Sequence, residues 1–216
     1  MIEPMALLGR PELRGAVASD RPLAQVVARL CAVAPDGVVR RLSWGCLNLT
    51  HRDDPGSPAR LEPGRLYDVT IRLDGLGETV GVGERLRLVL SSSYWPLIWP
   101  SPEPVRLTVR LDHCRLALPT APRGEECAFE EPEVSPPVAR SLLSTPASMR
   151  SGDIGRDGRE TVSVHDDHGR VRLEAVGLVK HVVSDETWQL TAGDPTSAAY
   201  ESTWRIAMAW DGGPAV

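Results

Sequence analysis

Several features that would point to a particular class of protein are rare or missing in this 216-residue sequence. Lys180 is the only lysine, and the formal net charge of -5 gives no reason to expect nucleic-acid binding. No stretch approaches the ~20 apolar residues that a membrane-spanning helix needs, and Glu3 and Pro4 interrupt the apolar core that a signal peptide would require. We therefore expect a cytoplasmic protein with neither a membrane nor a nucleic-acid partner.

Motifs that carry enzymatic chemistry are also missing. The cysteines are Cys31, Cys46, Cys114 and Cys127. None forms a CxxC pair, so no zinc motif is predicted, and buried free thiols are favoured over a Cys31–Cys46 disulfide, which stays open. Ser91, Ser92 and Ser93 lack the flanking glycines of a nucleophile elbow, and the glycine-rich segments lack the lysine and helix of a phosphate-binding loop. No catalytic residue, cofactor or metal is predicted.

Two polar clusters contain residue types that occur in catalytic or metal sites, but their context favours structural roles. His51 and Asp53 lie in one loop and could form a base with its orienting carboxylate, but loop residues of these types more often cap turns. The HDDH run His165–His168 is the densest group of possible metal ligands. Followed by Gly169, this run favours a hairpin turn, because these residue types tolerate positive φ.

What the sequence does contain is abundant turn chemistry and alternating strands. The 19 glycines and 19 prolines exceed ordinary usage and favour many short elements. Residues 66–73 alternate cleanly, with Tyr67, Val69, Ile71 and Leu73 on one face, as expected for a half-buried strand of a two-layer sandwich. The pattern predicts an all-β protein.

Other segments carry local signals for more than one kind of secondary structure. Leu23–Val33 has a helical spacing of apolar residues, but its valines and the Pro35-Asp36-Gly37 turn that follows favour a strand and a hairpin. The next strand, Val38–Thr50, is predicted to place Leu42, Trp44, Cys46 and Asn48 on one face. Gly75–Gly83 is predicted to be a connection without a strand.

The composition divides the chain into three parts. We expect a jelly-roll β-sandwich of the galactose-binding-like type in residues 1–120. Residues 121–158 show no apolar periodicity and are predicted to be a linker or long crossing, partly disordered. Residues 159–216 are predicted to form an additional β region of short strands, with a turn at Asp194-Pro195.

An unusually stiff apolar segment lies in Ser91–Val105, between two alternating runs. It contains four prolines, which fix φ and remove backbone donors. Its aromatic side chains can bury large areas against a core, a ligand or another domain. The candidates for an interface or ligand surface are Trp95, Trp99, Tyr94, Trp44 and His51. Exposed tryptophans on a β-sandwich can stack on sugars, whereas buried ones serve packing.

Longer motifs in the first half resemble a known family. They are Gly45-Cys46-Leu47-Asn48-Leu49-Thr50-His51-Arg52 followed by Leu61-Glu62-Pro63-Gly64, and Gly83-Glu84-Arg85-Leu86-Arg87-Leu88 followed by Tyr94-Trp95-Pro96-Leu97-Ile98-Trp99-Pro100-Ser101-Pro102. Together with residues 19–22 and 29–37, they resemble the C-terminal non-catalytic jelly-roll domain of the Xaa-Pro dipeptidyl-peptidase and cocaine-esterase-like (CocE/NonD) hydrolases. The resemblance is strong over residues 7–118 and weaker over 158–210.

The resemblance implies an accessory domain that packs on, or shapes the cleft of, an α/β-hydrolase domain with a Ser-His-Asp triad. No triad position has a counterpart here, so we expect the isolated chain to be inactive, whatever the activity of the family. The implied partners are a separately encoded hydrolase domain or a homo-oligomer. The sequence leaves two alternatives open: a stand-alone carbohydrate- or protein-binding module, and a truncated remnant.

Overall fold

The computed structural model describes residues 2–120, 130–133 and 139–210. The secondary structure of these residues consists of β-strands and two single-turn 3₁₀ helices, Leu49–His51 and Glu174–Val176. The strands are β1 (Met5–Gly9), β2 (Glu12–Ser19), β3 (Gln25–Val33), β4 (Val39–Asn48), β5 (Tyr67–Arg72), β6 (Leu76–Val80), β7 (Arg85–Ser91), β8 (Leu107–Ala117), β9 (Arg140–Leu142), β10 (Ala147–Ile154), β11 (Arg159–Leu173), β12 (Leu178–Thr191) and β13 (Asp194–Trp210). The prediction of an all-β sandwich is confirmed.

The chain divides into two compact units, Met1–Glu126 and Cys127–Val216. In the first unit, antiparallel sheets have the strand orders β5-β2-β8 and β4-β3-β7, and β1 pairs with β6. One hydrophobic cluster contains inward side chains from both three-stranded sheets, such as Val17 and Ile71 from one and Val26 and Leu30 from the other. The sheets therefore face each other across a common core, as in a sandwich.

Strand β3 is the most deeply buried element, and the hairpin predicted after it is present. The turn closes with hydrogen bonds from the Ala34 amide to the Val38 carbonyl and from the Gly37 amide to the Ala34 carbonyl, both 2.9 Å. Gly37 has a φ of +90°, which is accessible mainly to glycine. The strand assignment for Leu23–Val33 is thus confirmed, and its helical spacing was misleading.

The face predicted for β4 needs a correction. A bulge in the β3–β4 ladder pairs Leu30 with Ser43 but Cys31 with Arg41, which leaves Leu42 as the extra residue. Ser43 and Gly45 are consequently buried, whereas Trp44 is half-buried and Cys46 exposed. Leu42 packs on the core, so it does not share the environment of Trp44 and Cys46.

Gly45 marks the closest approach between β4 and the end of β5. A Cβ atom at this position would lie 2.3 Å from the carbonyl oxygen of Arg72. The Trp44 carbonyl accepts a hydrogen bond of 2.8 Å from the Asp74 amide, and the Ser43 hydroxyl donates one of 2.6 Å to the Asp74 carbonyl. The glycine is therefore required by backbone proximity across the sandwich.

Two predicted connections contain strands. Strand β6 lies inside Gly75–Gly83 and pairs with β1. Its Leu76 and Val80 side chains are buried in the core. Strands β9 and β10 lie inside residues 121–158, where a linker or crossing was predicted; residues 121–129 and 134–138 lie outside the described part. Their register on β11 is antiparallel, with β9 and β10 along successive parts of that strand.

The second unit has longer strands than its sequence predicts. The short strands expected within residues 160–191 merge into β11 and β12, and the hairpin turn before β13 lies at Ala192 and Gly193, ahead of the predicted Asp194-Pro195. The predicted turn at residues 165–169 is also wrong: these residues lie within β11. There His168 and Gly169 form a bulge opposite Val182.

Three cysteines, Cys31, Cys46 and Cys114, are free thiols, and Cys127 lies outside the described residues. The open Cys31–Cys46 disulfide alternative is wrong. Cys31 is buried as expected, whereas Cys46 is exposed. In the described ranges no helix has both the length and the apolar character to cross a membrane.

Candidate functional site

The segment between β7 and β8 folds into a short structured loop, which we call the aromatic loop (residues 94–102). The Ile98 amide donates a hydrogen bond of 2.8 Å to the Tyr94 carbonyl, and the enclosed Trp95–Pro96 peptide bond is cis. At its base, the Ser92 hydroxyl donates to the Val105 carbonyl over 3.2 Å. The prolines and the two hydrogen bonds restrict the backbone conformation of the loop.

Tyr94 is held on the sheet by two arginines and a tryptophan. Its ring lies edge-on to Trp44 with a centroid separation of 5.6 Å. The Arg29 guanidinium lies 4.7 Å from the ring centroid, and the Arg41 guanidinium lies 5.7 Å away and donates a hydrogen bond to the phenolic oxygen. Because Arg29 pairs with Trp44 across β3 and β4, the ladder register assembles this group.

Trp95 and Trp99 form the second half of the loop. Their rings meet edge-to-face, with centroids 5.3 Å apart and an interplanar angle of 70°. Trp95 is half-buried, and its buried indole N–H has no hydrogen-bond partner among the described atoms. Trp99 is 53% exposed, and its carbonyl accepts a hydrogen bond of 2.8 Å from the Gln25 side chain. The loop thus presents one open indole beside a half-buried one.

A cleft of about 300 Å³ lies beside Trp99. Its lining residues are Leu23, Ala24, Gln25, Asn48, Thr50, Trp99, Pro100, Ser101 and Pro102. The side-chain Oδ1 of Asn48 accepts hydrogen bonds from the Thr50 amide and hydroxyl, at 3.1 and 2.9 Å, and so caps the 3₁₀ turn that begins at Leu49. The aromatic ring and the amide groups together give the cleft one apolar wall and several polar atoms.

His51 lies at the end of that 3₁₀ turn and is half-buried. Its Nδ1 lies 2.9 Å from the Pro55 carbonyl, while Asp53 forms an ion pair with Arg52 at 3.2 Å. His51 and Asp53 therefore have separate partners, and they do not form a base with its orienting carboxylate. Within the described residues no ring contact joins His51 to the aromatic loop, although Trp44, Tyr94, Trp95 and Trp99 meet in two pairs.

Two histidine–aspartate pairs join β11 to β12 through separate side-chain hydrogen bonds. His165 Nδ1 lies 2.6 Å from Asp185 Oδ1, and His181 Nε2 lies 2.9 Å from Asp167 Oδ1. Hydrogen bonds from the Gly169 amide and from His181 lower the pKa of Asp167, and His165 lowers the pKa of Asp185. No group of three or more His, Cys, Asp or Glu side chains is close enough to hold a metal in the described ranges.

Comparison with known families places the first unit. Residues 2–128 match the model of the X-Pro dipeptidyl-peptidase C-terminal non-catalytic domain. The chain belongs to this family. The match covers more than half of the sequence and includes β1–β8 with the aromatic loop, so the resemblance predicted over residues 7–118 is confirmed. Among curated proteins, no sequence matches.

Two solved structures with TM-scores above 0.5 agree with this domain at the level of fold. An aminopeptidase from a marine sediment archaeon, Thaumarchaeota archaeon, is 19% identical with a TM-score of 0.53, and an α-amino acid ester hydrolase is 18% identical with a TM-score of 0.51. Each alignment covers 56% of this chain and 24% of the other. A CocE/NonD family hydrolase from Staphylococcus aureus aligns at 16% identity and a TM-score of 0.48, covering 56% of this chain and 29% of that one. The chain thus spans about a quarter of the length of the first two.

Within this X-Pro dipeptidyl-peptidase C-terminal domain, sequence reasoning missed three residues that shape the site. Arg29 and Arg41 hold Tyr94, and Gln25 anchors the Trp99 backbone. A signal was present, because Gln25 and Arg29 are polar residues in an otherwise apolar strand. They are separated by an even number of positions, so their side chains lie on the same face. Their partners could not be inferred, since the contacts depend on the path of the aromatic loop.

Proposed function

We propose that the first unit is an accessory domain that packs on an α/β-hydrolase catalytic domain of the dipeptidyl-peptidase or esterase type and forms part of its substrate-cleft wall. The observation that carries this proposal is the match of residues 2–128 to a family of non-catalytic C-terminal domains. The hydrolase domain is the partner in this proposal, a serine hydrolase whose nucleophile, base and oxyanion hole supply the chemistry.

The aromatic loop has the properties of a contact surface. Leu97 is 58% exposed and lies close in sequence to the open indole of Trp99, so the loop presents adjacent apolar groups to solvent. Trp, Tyr and Arg are enriched at the energetic centres of interfaces, and Arg29 and Arg41 stand behind Tyr94. Since the prolines already restrict the backbone, docking would order little additional chain.

The serines of this region support a structural role. Ser91 Oγ donates to the Ser93 carbonyl over 2.8 Å, and Ser92 Oγ donates to Val105. A serine nucleophile instead needs a base within hydrogen-bond reach. We therefore expect no turnover of p-nitrophenyl acetate or alanyl-prolyl-p-nitroanilide by the isolated chain, and measurable turnover by it would contradict the proposal.

The interface is tested by co-expressing the chain with an α/β-hydrolase domain of this family from the same genome. We expect a co-purifying complex with higher ester or prolyl-amide turnover than the hydrolase domain alone. Trp99→Ala should weaken the complex about 30-fold, as expected for loss of an aromatic hot spot of ~2 kcal/mol. Met149→Ala is the control, because Met149 is 66% exposed but lies in β10 of the second unit. Equal weakening by both variants would exclude the aromatic loop as the contact.

Carbohydrate binding is a second candidate function, favoured by the polar cleft beside Trp99. One indole and the nearby amides of Gln25 and Asn48 could contact one sugar ring. A flat platform of two tryptophans is not formed, since Trp95 and Trp99 meet at 70°. Titration with mono- and disaccharides, followed by tryptophan fluorescence, tests this function. A saturable change that Trp99→Ala abolishes would support it, and no change would count against it.

A further inference from the structure

Strand β13 ends the sheet of the second unit and has a free edge. In the sheet order β10-β11-β12-β13 it pairs with β12 on one side, and no described strand pairs with its other side. It is 17 residues long, and residues 199–207 are all solvent-exposed. A long unpaired edge presents a row of backbone donors and acceptors that can accept another strand.

The opposite side of the same sheet lacks this continuity. There the short strands β9 and β10 are separated by residues 143–146, which include Pro146. Short strands and proline are devices that block edge pairing. In β13, proline occurs only at Pro195, near its start, and there is no lysine. Any edge-to-edge association of this sheet should therefore use β13.

We infer that β13 pairs antiparallel with β13 of a second copy of this chain, in the register centred on Thr203. The charges of the strand carry this inference, because they are self-complementary in that register. Only Asp194, Glu201 and Arg205 are charged in β13. The pairing places Glu201 of each copy opposite Arg205 of the other, so that both ion pairs form at once. A shift by two residues breaks both.

The same register also matches the apolar side chains. Tyr200, Trp204 and Ile206 lie on one face of β13 by the two-residue period, and they are 47%, 55% and 53% exposed. Tyr200 of one copy lies opposite Ile206 of the other, and the two Trp204 residues become diagonal neighbours, within reach for aromatic rings. Residues 196–210 of each strand take part, which is nearly the whole element.

The arrangement is a closed twofold dimer with one continuous sheet. An antiparallel pairing about a single central residue is isologous. Both β13 edges are then paired with each other, so no further copy can add to them and no filament forms. Arg205 already donates to Asp185 over 2.6 Å. A guanidinium has five N–H donors, so this bond leaves others for the Glu201 of the second copy.

Sedimentation equilibrium of the full chain tests the dimer. We expect a species of twice the 23.5 kDa chain mass. Glu201→Arg should weaken dimerisation about tenfold by placing arginines opposite one another, and adding Arg205→Glu should restore it. Glu160→Arg makes the same charge change on β11, away from the edge, and should have no effect. A monomer, or a dimer insensitive to Glu201→Arg, would overturn the inference.

The register has its own test in cross-linking. In the proposed dimer, Thr203 lies opposite itself, at a separation that suits a disulfide. Thr203→Cys should therefore form a covalent dimer under mild oxidation. Ala199→Cys is equally exposed but lies opposite Ala207, roughly 27 Å from its own copy at about 3.4 Å per residue. The parent chain controls for its own cysteines. Equal cross-linking at 199 and 203 would overturn the register.

Discussion

The two units of this chain use the same alternating pattern to different effect. In the first unit, strands from facing sheets bury Leu30, Val26 and Ile71 almost completely. In the second, no hydrophobic side chain of the described residues reaches that level, and Trp204, Ile206 and Trp210 stay about half exposed. Alternation therefore specifies which side chains share a face, but a core forms only where a second layer covers that face.

The difference in burial between the two units is tested most directly by truncating one isoleucine in each. Ile71→Ala in β5 removes a side chain that is 1% exposed, and we expect a loss of about 2–5 kcal/mol in the free energy of unfolding of the first unit. Ile154→Ala in β10 is the matched change at a position that is 70% exposed and should cost no more than about 0.5 kcal/mol. Segment-resolved hydrogen exchange measures both. Similar losses at the two sites would show that the second sheet is covered.

Glycine offers a second comparison within strands. Gly45→Ala in β4 forces a Cβ against the Arg72 carbonyl, and overpacking of this kind should destabilise the first unit by about 1–3 kcal/mol. At Gly152 in β10, the nearest atom to an added Cβ is 3.9 Å away, so Gly152→Ala should cause no loss. Urea denaturation of the two variants compares them. A neutral Gly45→Ala would mean that β4 and β5 separate readily.

The smallest expected effect concerns the charged pairs of the second unit. The pKa of Asp185 is lowered from its ordinary value of 3.8 by His165 and Arg205, so its folded form binds a proton less readily than its unfolded form. Its contribution to stability is present above pH 3.8 and is lost as the pH falls through the lowered pKa. Asp185→Asn should lower the melting temperature at pH 6, and the difference should shrink at low pH. A difference independent of pH would assign the effect to packing.

Local signals were sufficient for most strands of the first unit. The turn residues around Gly37 and the alternation of Tyr67, Val69 and Ile71 predict the correct elements. Where prediction failed, a distant partner decided the outcome. Strand β6 is a strand because β1 supplies its ladder, and the HDDH run is extended because β12 pairs along it. Sequence periods contain no information on such partners.

The candidate site likewise contains residues that the sequence predicts and residues whose roles depend on distant contacts. The motif around Tyr94, Trp95 and Trp99 is visible in the sequence and is sufficient to suggest the family. The roles of Arg29 and Arg41 were not predictable, since they lie more than 50 residues before the ring that they contact. His51, which the sequence predicts to share a surface with the tryptophans, forms its hydrogen bond with the Pro55 carbonyl in its own loop.

Turn residues, two-residue alternation and proline act over short distances, so the sequence alone predicts an all-β chain, the strands of a sandwich and a stiff aromatic connection. Which of those side chains stay open depends on long-range packing. Burial depends on the layer opposite: β3 lies within the sandwich and loses its apolar surface to the core, whereas β13 lies at an edge and keeps Trp204 and Ile206 accessible.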